Sequence, residues 1–165
     1  MNTAYLILGC NKGDKLFNLK QALKLIEEKA GTIKKESDVF VTAAWGNTDQ
    51  PDFYNQVLCL QTFLTASDLL KTLLSIEQIL GRVRDEKKWM ERTMDIDILF
   101  FNNSIINSTD LTIPHPFIQE RKFVLVPMAK LEPRLIHPVL GKSMETLLSE
   151  CLDTLKITKL ETTNG

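Results

Sequence analysis

No run of apolar residues in the chain approaches ~18, the length a membrane-spanning helix needs. The opening Met1-Asn2-Thr3-Ala4-Tyr5 has no basic lead into an apolar stretch. Neither a membrane span nor a signal peptide is therefore expected. Cysteine is scarce too: Cys10, Cys59 and Cys151 are odd in number and lack metal-ligand spacing, which argues against a disulfide framework and a zinc site and fits a reducing cytoplasm. A basic surplus is missing, since 20 Lys and Arg face 21 Asp and Glu for a formal charge of -1. Without an overall basic field a dedicated nucleic-acid binder is disfavoured, and any anion site must be local. Two phosphate-binding signatures also fail. Gly141-Lys142-Ser143 looks like the end of a Walker A loop, but the glycine required five residues before its last Gly is replaced by Ile136; Gly9 to Gly13 lacks the G-x-G-x-x-G pattern. There is no internal repeat and no low-complexity segment.

What is present is the make-up of one globular domain spanning residues 1–165, with 44% apolar and 25% charged residues. Ala4 to Leu8 reads as a buried strand, broken by Gly9-Cys10-Asn11-Lys12-Gly13-Asp14, residues suited to tight turns and helix caps. Leu16, Leu19, Leu23, Ile26 and Ala30 then keep the spacing of one apolar helix face, with Gly31 as its stop. Ile33 to Val41 predicts a second strand, residues 42 to 52 a loop of functional length, and Phe53 to Phe63 a long strand. Thr65-Ala66-Ser67-Asp68 has capping-box spacing before the stripe Leu69, Leu73, Ile76 and Leu80. Further on we expect a hairpin near Asn102-Asn103, a helix from Arg121 to Leu131 with Pro127 marking its first turn or a kink, a capped helix from Ser143 to Leu152, and a polar peripheral tail over 154–165. Strands and helices alternate with hairpin signals, which places the chain in the α+β class, with a mixed or antiparallel sheet flanked by helices.

The most informative segment is Arg92-Thr93-Met94-Asp95-Ile96-Asp97-Ile98-Leu99-Phe100-Phe101, which sets two carboxylates two residues apart in a run that otherwise reads as a buried strand. Asp95 and Asp97 share one strand face, their Cα atoms roughly 6.5 to 7 Å apart. Mg2+ takes oxygen ligands and is commonly held by one or two carboxylates plus substrate phosphates. The competing reading is a pair of solvated aspartates on an exposed edge strand; Asp-x-Asp alone does not separate the two. Just upstream, Arg82, Arg84, Lys87, Lys88 and Arg92 outnumber Asp85, Glu86 and Glu91 five to three. Phosphoryl transfer relies on positioning and cationic neutralisation, and guanidinium groups bind phosphate oxygens in pairs. A solvated charged loop is the bland alternative. Trp89 reads as a loop anchor ahead of a lid over a base, and His115, between two prolines, as a phosphate donor or a structural histidine; His137 ranks below it.

Taken together, these segments resemble 6-hydroxymethyl-7,8-dihydropterin pyrophosphokinase, a family of folate biosynthesis, over nearly the whole chain. Leu8-Gly9-Cys10-Asn11-Lys12-Gly13-Asp14 is similar to the family's L-G-S-N-x-G-D; Gln50-Pro51-Asp52-Phe53-Tyr54-Asn55 and Gly81-Arg82-Val83-Arg84 follow in order. Arg92-Thr93-Met94-Asp95-Ile96-Asp97-Ile98-Leu99 fits R-x-x-D-[LIV]-D-[LIVM]-[LIVM], and Ile113-Pro114-His115-Pro116 with Arg121-Lys122-Phe123-Val124-Leu125 completes the series. The resemblance implies a ferredoxin-like sandwich and transfer of pyrophosphate from MgATP to the pterin hydroxymethyl group, with release of AMP. It assigns two Mg2+ ions to Asp95 and Asp97, and assistance in transfer to Arg82 and Arg92. Glu77, Arg84, Trp89, Ile98, Leu111, Thr112, His115 and Arg121 would line the ATP site, partly through main-chain contacts. Thr42, Trp45, Phe53, Asn55 and Phe123 would form the pterin pocket, and the loops 42–52 and 82–92 would close as lids. The expected partners are then ATP and the pterin, and with the composition above we expect a cytoplasmic monomer with no nucleic acid and no membrane.

The chain departs from the family pattern at Cys10 (commonly Ser), at Ala43-Ala44 (where Pro is typical) and at Met90 (usually Gly). Met90 lacks the backbone freedom of Gly, which bears on closure of the loop and placement of Arg92. None of these changes removes a charged or metal-binding group, so activity is expected to be retained. A rival from another class is a non-catalytic ligand-binding domain on the same scaffold, since fold alone does not fix function.

Overall fold

In chain order, a computed structural model that describes residues 1–43, 51–81 and 94–161 shows β1 (Asn2–Cys10), α1 (Lys15–Lys29), β2 (Thr32–Glu36), β3 (Phe40–Thr42), β4 (Phe53–Thr62), α2 (Ala66–Ile79), β5 (Asp95–Phe101), β6 (Ile106–Asn107), β7 (Thr112–Ile113), a 3-10 turn at Ile118–Glu120, α3 (Lys122–Leu131), α4 (Met144–Glu150) and β8 (Ile157–Lys159). The main sheet runs in the order β5-β1-β4-β3-β8, with β2 also pairing β4, and every pairing among the described residues is antiparallel. The order β5-β1-β4-β2 with helices after β1 and β4 is the ferredoxin-like β-α-β-β-α-β arrangement. No helix among the described residues is long and apolar enough to cross a membrane.

Two cores form because strand side chains alternate and both faces of the sheet are covered. Leu6 and Leu8 of β1, Leu58 and Leu60 of β4, and Ile96 and Ile98 of β5 pack on Leu19, Ala22 and Ile26 of α1 and Leu69, Leu73 and Ile76 of α2. On the other face Tyr5, Ile7, Val57 and Cys59 meet Val124, Leu125 and Met128 of α3 and Met144 and Leu147 of α4. Burying each large aliphatic side chain contributes about 1.5–3 kcal/mol. Strand β5 serves both cores through an irregularity. Its register against β1 passes from Phe100 opposite Tyr5 to Ile98 opposite Leu6, so Leu99 is the extra residue of a bulge. Leu99 and Phe100 consequently both enter the second core, and Phe101 returns to the first.

Several sequence expectations are corrected. Gly9 and Cys10 belong to β1, not to the turn after it, because the ladder continues on both sides: Gly9 pairs Asn55 of β4 and Asp95 of β5. The predicted strand 33–41 is two strands separated at 37–39. Val57 N–H donates to the Ser37 hydroxyl oxygen and Ser37 N–H to the Val57 carbonyl, so a serine takes over the pairing where the register breaks. No hairpin joins β5 to β6; Asn102, at φ 51, turns the chain and exchanges bonds with Thr3, while β6 pairs β7. Pro127 lies not in the first turn of α3 but in the second, as its buried sixth residue, where it cannot donate a helix bond. The last helix ends at Glu150, and the polar segment after it supplies β8 at the sheet edge.

The predicted caps are present: Asp14 accepts from Phe17 N–H, Thr65 from Asp68 N–H and Ser143 from Thr146 N–H. Helix α1 ends against β4, its Ala30 carbonyl accepting from the buried Thr62 hydroxyl at 2.6 Å. Gly31 follows in a space closed by backbone, since a Cβ there would lie 2.1 Å from the Gln61 carbonyl oxygen. Gly31→Ala should therefore destabilise the protein by about 3 kcal/mol, the upper range for overpacking a rigid site. Urea unfolding measures this, and an unchanged midpoint would show that α1 and β4 separate freely.

Candidate functional site

One row of three residues crosses the sheet at the end that α3 and α4 leave uncovered. Gly9 of β1 is in register with Asn55 of β4 on one side and Asp95 of β5 on the other, which puts Asn55 and Asp95 about 10 Å apart, two strand spacings. The close approach explains the glycine, because a Cβ on Gly9 would come within 2.9 Å of Asn55 Oδ1. Asn55 is buried and its amide nitrogen donates to the Thr42 hydroxyl oxygen at 2.9 Å, an arrangement that fixes which way its carbonyl oxygen points. Above this row lies a cavity of about 480 Å³, walled by Thr42, Ala43 and Phe53 on one side and by Phe117, Glu120, Arg121 and Phe123 on the other. Ile7, Gly9 and Asn55 lie beneath, Asp95 and Asp97 stand at the β5 end, and Asp153 and Leu155 close it from the C-terminal segment. That volume suits a small-molecule ligand.

Asp95 and Asp97 share the cavity face of β5, while Ile96 and Ile98 fill the core behind them. The expectation of buried carboxylates is revised: Asp95 is half-buried and Asp97 exposed, because the face they share opens into the cavity and not into the core. Two adjacent carboxylates of this kind fit a hard, oxygen-seeking divalent cation. Among the described residues no group of three or more His, Cys, Asp or Glu could hold an ion unaided. A pair of carboxylates suits an ion that shares its coordination with substrate phosphates and water.

On the opposite wall the Arg121 guanidinium lies 5.0 Å from the Phe117 ring centroid and 5.7 Å from that of Phe123. Cation–π attraction to both rings holds it at the mouth of the cavity. Nearby, the His115 main-chain N–H donates to the Leu99 carbonyl, and His115 Nδ1 accepts from Phe117 N–H at 3.2 Å. Its proton therefore resides on Nε2. Burial, reinforced by the Arg121 charge, pushes the His115 imidazole down to about 4. At neutral pH it is a neutral Nε2–H donor.

The structure brings together Thr42, Phe53, Asn55, Asp95, Asp97, Arg121 and Phe123 of the predicted residues around one cavity. Five others lie outside its lining. Glu77 is 3% exposed, and its carboxylate accepts from the Ile96 N–H at 2.8 Å, which pins β5 between the two aspartates. Ile98 is core; Leu111 and Thr112 lie at β7 and His115 just beyond, against the outer side of β5. Trp45, Arg82, Arg84, Trp89, Met90 and Arg92 fall outside the described residues, as do most of the two expected lid loops. Sequence reasoning missed Ile7, Gly9, Phe117, Glu120, Asp153 and Leu155 as wall residues. Gly9 carried a signal, a glycine ending an apolar strand, which is the mark of a close approach; the acidic and apolar residues of the C-terminal segment carried none.

A titration of the His115 ring protons by NMR should show a midpoint near 4, well below the ordinary 6.5. Because the unfolded chain takes up this proton first, His115 contributes stability that is complete above pH ~6.5 and is lost as pH falls toward 4. A midpoint at the ordinary value would refute the buried, neutral assignment.

Comparison with known proteins is consistent with this geometry. Residues 5–133 match the family described as 7,8-dihydro-6-hydroxymethylpterin-pyrophosphokinase (HPPK). The 2-amino-4-hydroxy-6-hydroxymethyldihydropteridine pyrophosphokinase of Aquifex aeolicus is 37% identical over 156 residues, 94% of this chain and 95% of that protein. The protein of the same name from Methylorubrum extorquens is 39% identical over 163 residues, covering 98% and 100%. The crystal structure of Plasmodium falciparum HPPK-DHPS is similar in fold, with a TM-score of 0.73 at 20% identity; the match covers 91% of this chain and 43% of that much longer one. By the extent of the family match and the identity to full-length relatives, the chain belongs to the 7,8-dihydro-6-hydroxymethylpterin-pyrophosphokinase family.

Proposed function

We infer that this pyrophosphokinase of folate biosynthesis transfers the β,γ-pyrophosphoryl group of MgATP to the hydroxymethyl oxygen of 6-hydroxymethyl-7,8-dihydropterin and releases AMP. The observation that carries the reading is the row Asn55–Gly9–Asp95, which sets an amide suited to a heterocycle edge and a carboxylate suited to a metal at opposite ends of one cavity. The pterin lies over Gly9, where no side chain intrudes, with Asn55 and Thr42 at its polar edge and Phe53 and Phe123 offering ring faces. This directs its hydroxymethyl group toward Asp95 and Asp97. Two Mg2+ ions bound there with the triphosphate would neutralise charge and align the oxygens of an in-line displacement.

The protein's part is to position and to neutralise. Arg121 presents its charge from between two rings, and neutral His115 adds an Nε2–H donor on the outer side of β5. Arg82 and Arg92 supply further charge to the phosphates. Glu77, Ile98, Leu111 and Thr112 take the nucleotide along that outer side, Ile98 through its main chain, and Arg84 and Trp89 also bind it. Glu77 acts chiefly by fixing β5. The loops 42–52 and 82–92 exclude water that would otherwise accept the phosphoryl group. The domain, residues 1–165, works as a cytoplasmic monomer without nucleic acid.

Incubation of the protein with MgATP and the reduced pterin should yield AMP in a pterin-dependent way. Formation of ADP, or pterin binding indifferent to Mg2+ and ATP analogues, would overturn the reading and favour a non-catalytic binding domain. Asp95→Ala and Asp97→Ala should each lower kcat at least ~100-fold, the scale seen when one preorganised charge-stabilising group is removed. Near-normal turnover in either variant would disprove the metal assignment.

A further inference from the structure

The C-terminal segment contributes to the cavity although it lies beyond residue 133, where the family match stops. From the end of α4 it passes the start of α3 at Asp153, enters the cavity wall at Leu155 and joins the sheet as β8, with Ile157 opposite Thr42 of β3. Leu160 N–H then donates to the Val39 carbonyl, and Lys159 pairs with Asp38 at 3.5 Å. The segment is therefore a strap from α3 to β3, the two elements that form the cavity's opposing walls.

The first N–H groups of a helix lack intrahelical partners, and a side chain just before the helix usually supplies one. Helix α3 has no such cap of its own, since the residue before it is Arg121, whose side chain makes no capping bond. The carboxylate of Asp153 takes that place from 31 residues away. Its Oδ2 accepts from the Lys122 N–H at 3.0 Å, and its Oδ1 accepts from the Leu155 N–H at 3.0 Å. One half-buried carboxylate thus ties the strap to the backbone between Arg121 and Phe123. The flanking side chains are the guanidinium and ring that stack upon each other on that wall of the cavity.

We propose that Asp153 is a positioning residue for pterin binding: it clasps the start of α3 to the C-terminal strap and so holds Phe123 and Arg121 against the cavity. The proposal rests on reading the cavity as the pterin site. Its action is indirect. Both carboxylate oxygens are engaged by main-chain N–H groups, while the Phe123 ring lines the cavity and would meet the pterin.

The test measures 6-hydroxymethylpterin affinity by fluorescence on the full chain, with Mg2+ and a non-hydrolysable ATP analogue, beside steady-state kinetics and thermal melting. Asp153→Ala should weaken pterin binding and raise its KM about five- to tenfold, the equivalent of one lost cap, with kcat at saturation changed less than about twofold. Asp153→Asn keeps a carbonyl acceptor and should recover most of the affinity. Ser143→Ala removes the cap of α4, away from the cavity, and serves as the control: a similar loss of melting temperature with unchanged pterin affinity is expected. A pterin dissociation constant for Asp153→Ala within about twofold of the parent, or an equal weakening by Ser143→Ala, would overturn the proposal. Should Asp153→Ala not yield folded protein, Asp153→Ser is measured in its place; a weakening of at least about threefold supports the clasp, and none refutes it. AMP formation by the parent protein is read separately. If AMP fails to appear while pterin binds, the functional reading falls, and the affinity ratio still decides the role of Asp153.

Discussion

The register of β1 between β4 and β5 is the constraint on which the site depends. Because Gly9 is paired on both sides, Asn55 and Asp95 are fixed relative to one another through two ladders of backbone hydrogen bonds and not through flexible side chains. A slip of one residue in either ladder would send every side chain of the shifted strand to the other face. That slip is opposed by both cores at once, since Leu6 and Leu8 belong to one and Tyr5 and Ile7 to the other. Distance between the amide and the carboxylate is thereby set by hydrophobic packing far larger in energy than any single polar contact in the cavity.

The cavity itself follows from incomplete coverage. Helices α1 and α2 span one face of the sheet, whereas α3 and α4 cover the other only as far as Val57, Leu99 and Phe100. Beyond that limit the face carries Gly9, Asn55, Asp95 and Asp97, residues that do not need an apolar cover, with Phe53 lining the cavity beside them. The bulge at Leu99 marks the changeover within β5: before it, the second face bears carboxylates, and at it two consecutive apolar side chains turn toward α3. One strand can therefore carry a polar site and a core on the same side of the sheet.

Much of this was legible because it is periodic or local. The stripes of α1 and α2, the caps at Asp14, Thr65 and Ser143, and the Asp95/Asp97 alternation are written in neighbouring residues. What escaped depends on long-range pairing. Gly9 and Cys10 have turn-like character, yet a ladder on both sides holds them in a strand; Ser37 splits a continuous β-prone run because its hydroxyl replaces a backbone partner. The bond from the Ile96 amide to the Glu77 carboxylate joins residues 19 apart and likewise has no local signal. Asp153 and Leu155 had no local pattern at all, and only the path of the chain back past α3 brings them to the cavity.

Glu77 has one more consequence. Strand β5 lies at an end of the main sheet, where unpaired amides and carbonyls are a template for another chain. Its Ile96 amide is taken by the buried Glu77 carboxylate and its Leu99 carbonyl by the His115 amide. An added strand's carbonyl finds the Ile96 amide already bonded to a side-chain oxygen and its place occupied. The contact that steadies the two aspartates thus also guards the sheet against edge-to-edge aggregation, so solubility and site geometry rest on the same side chain.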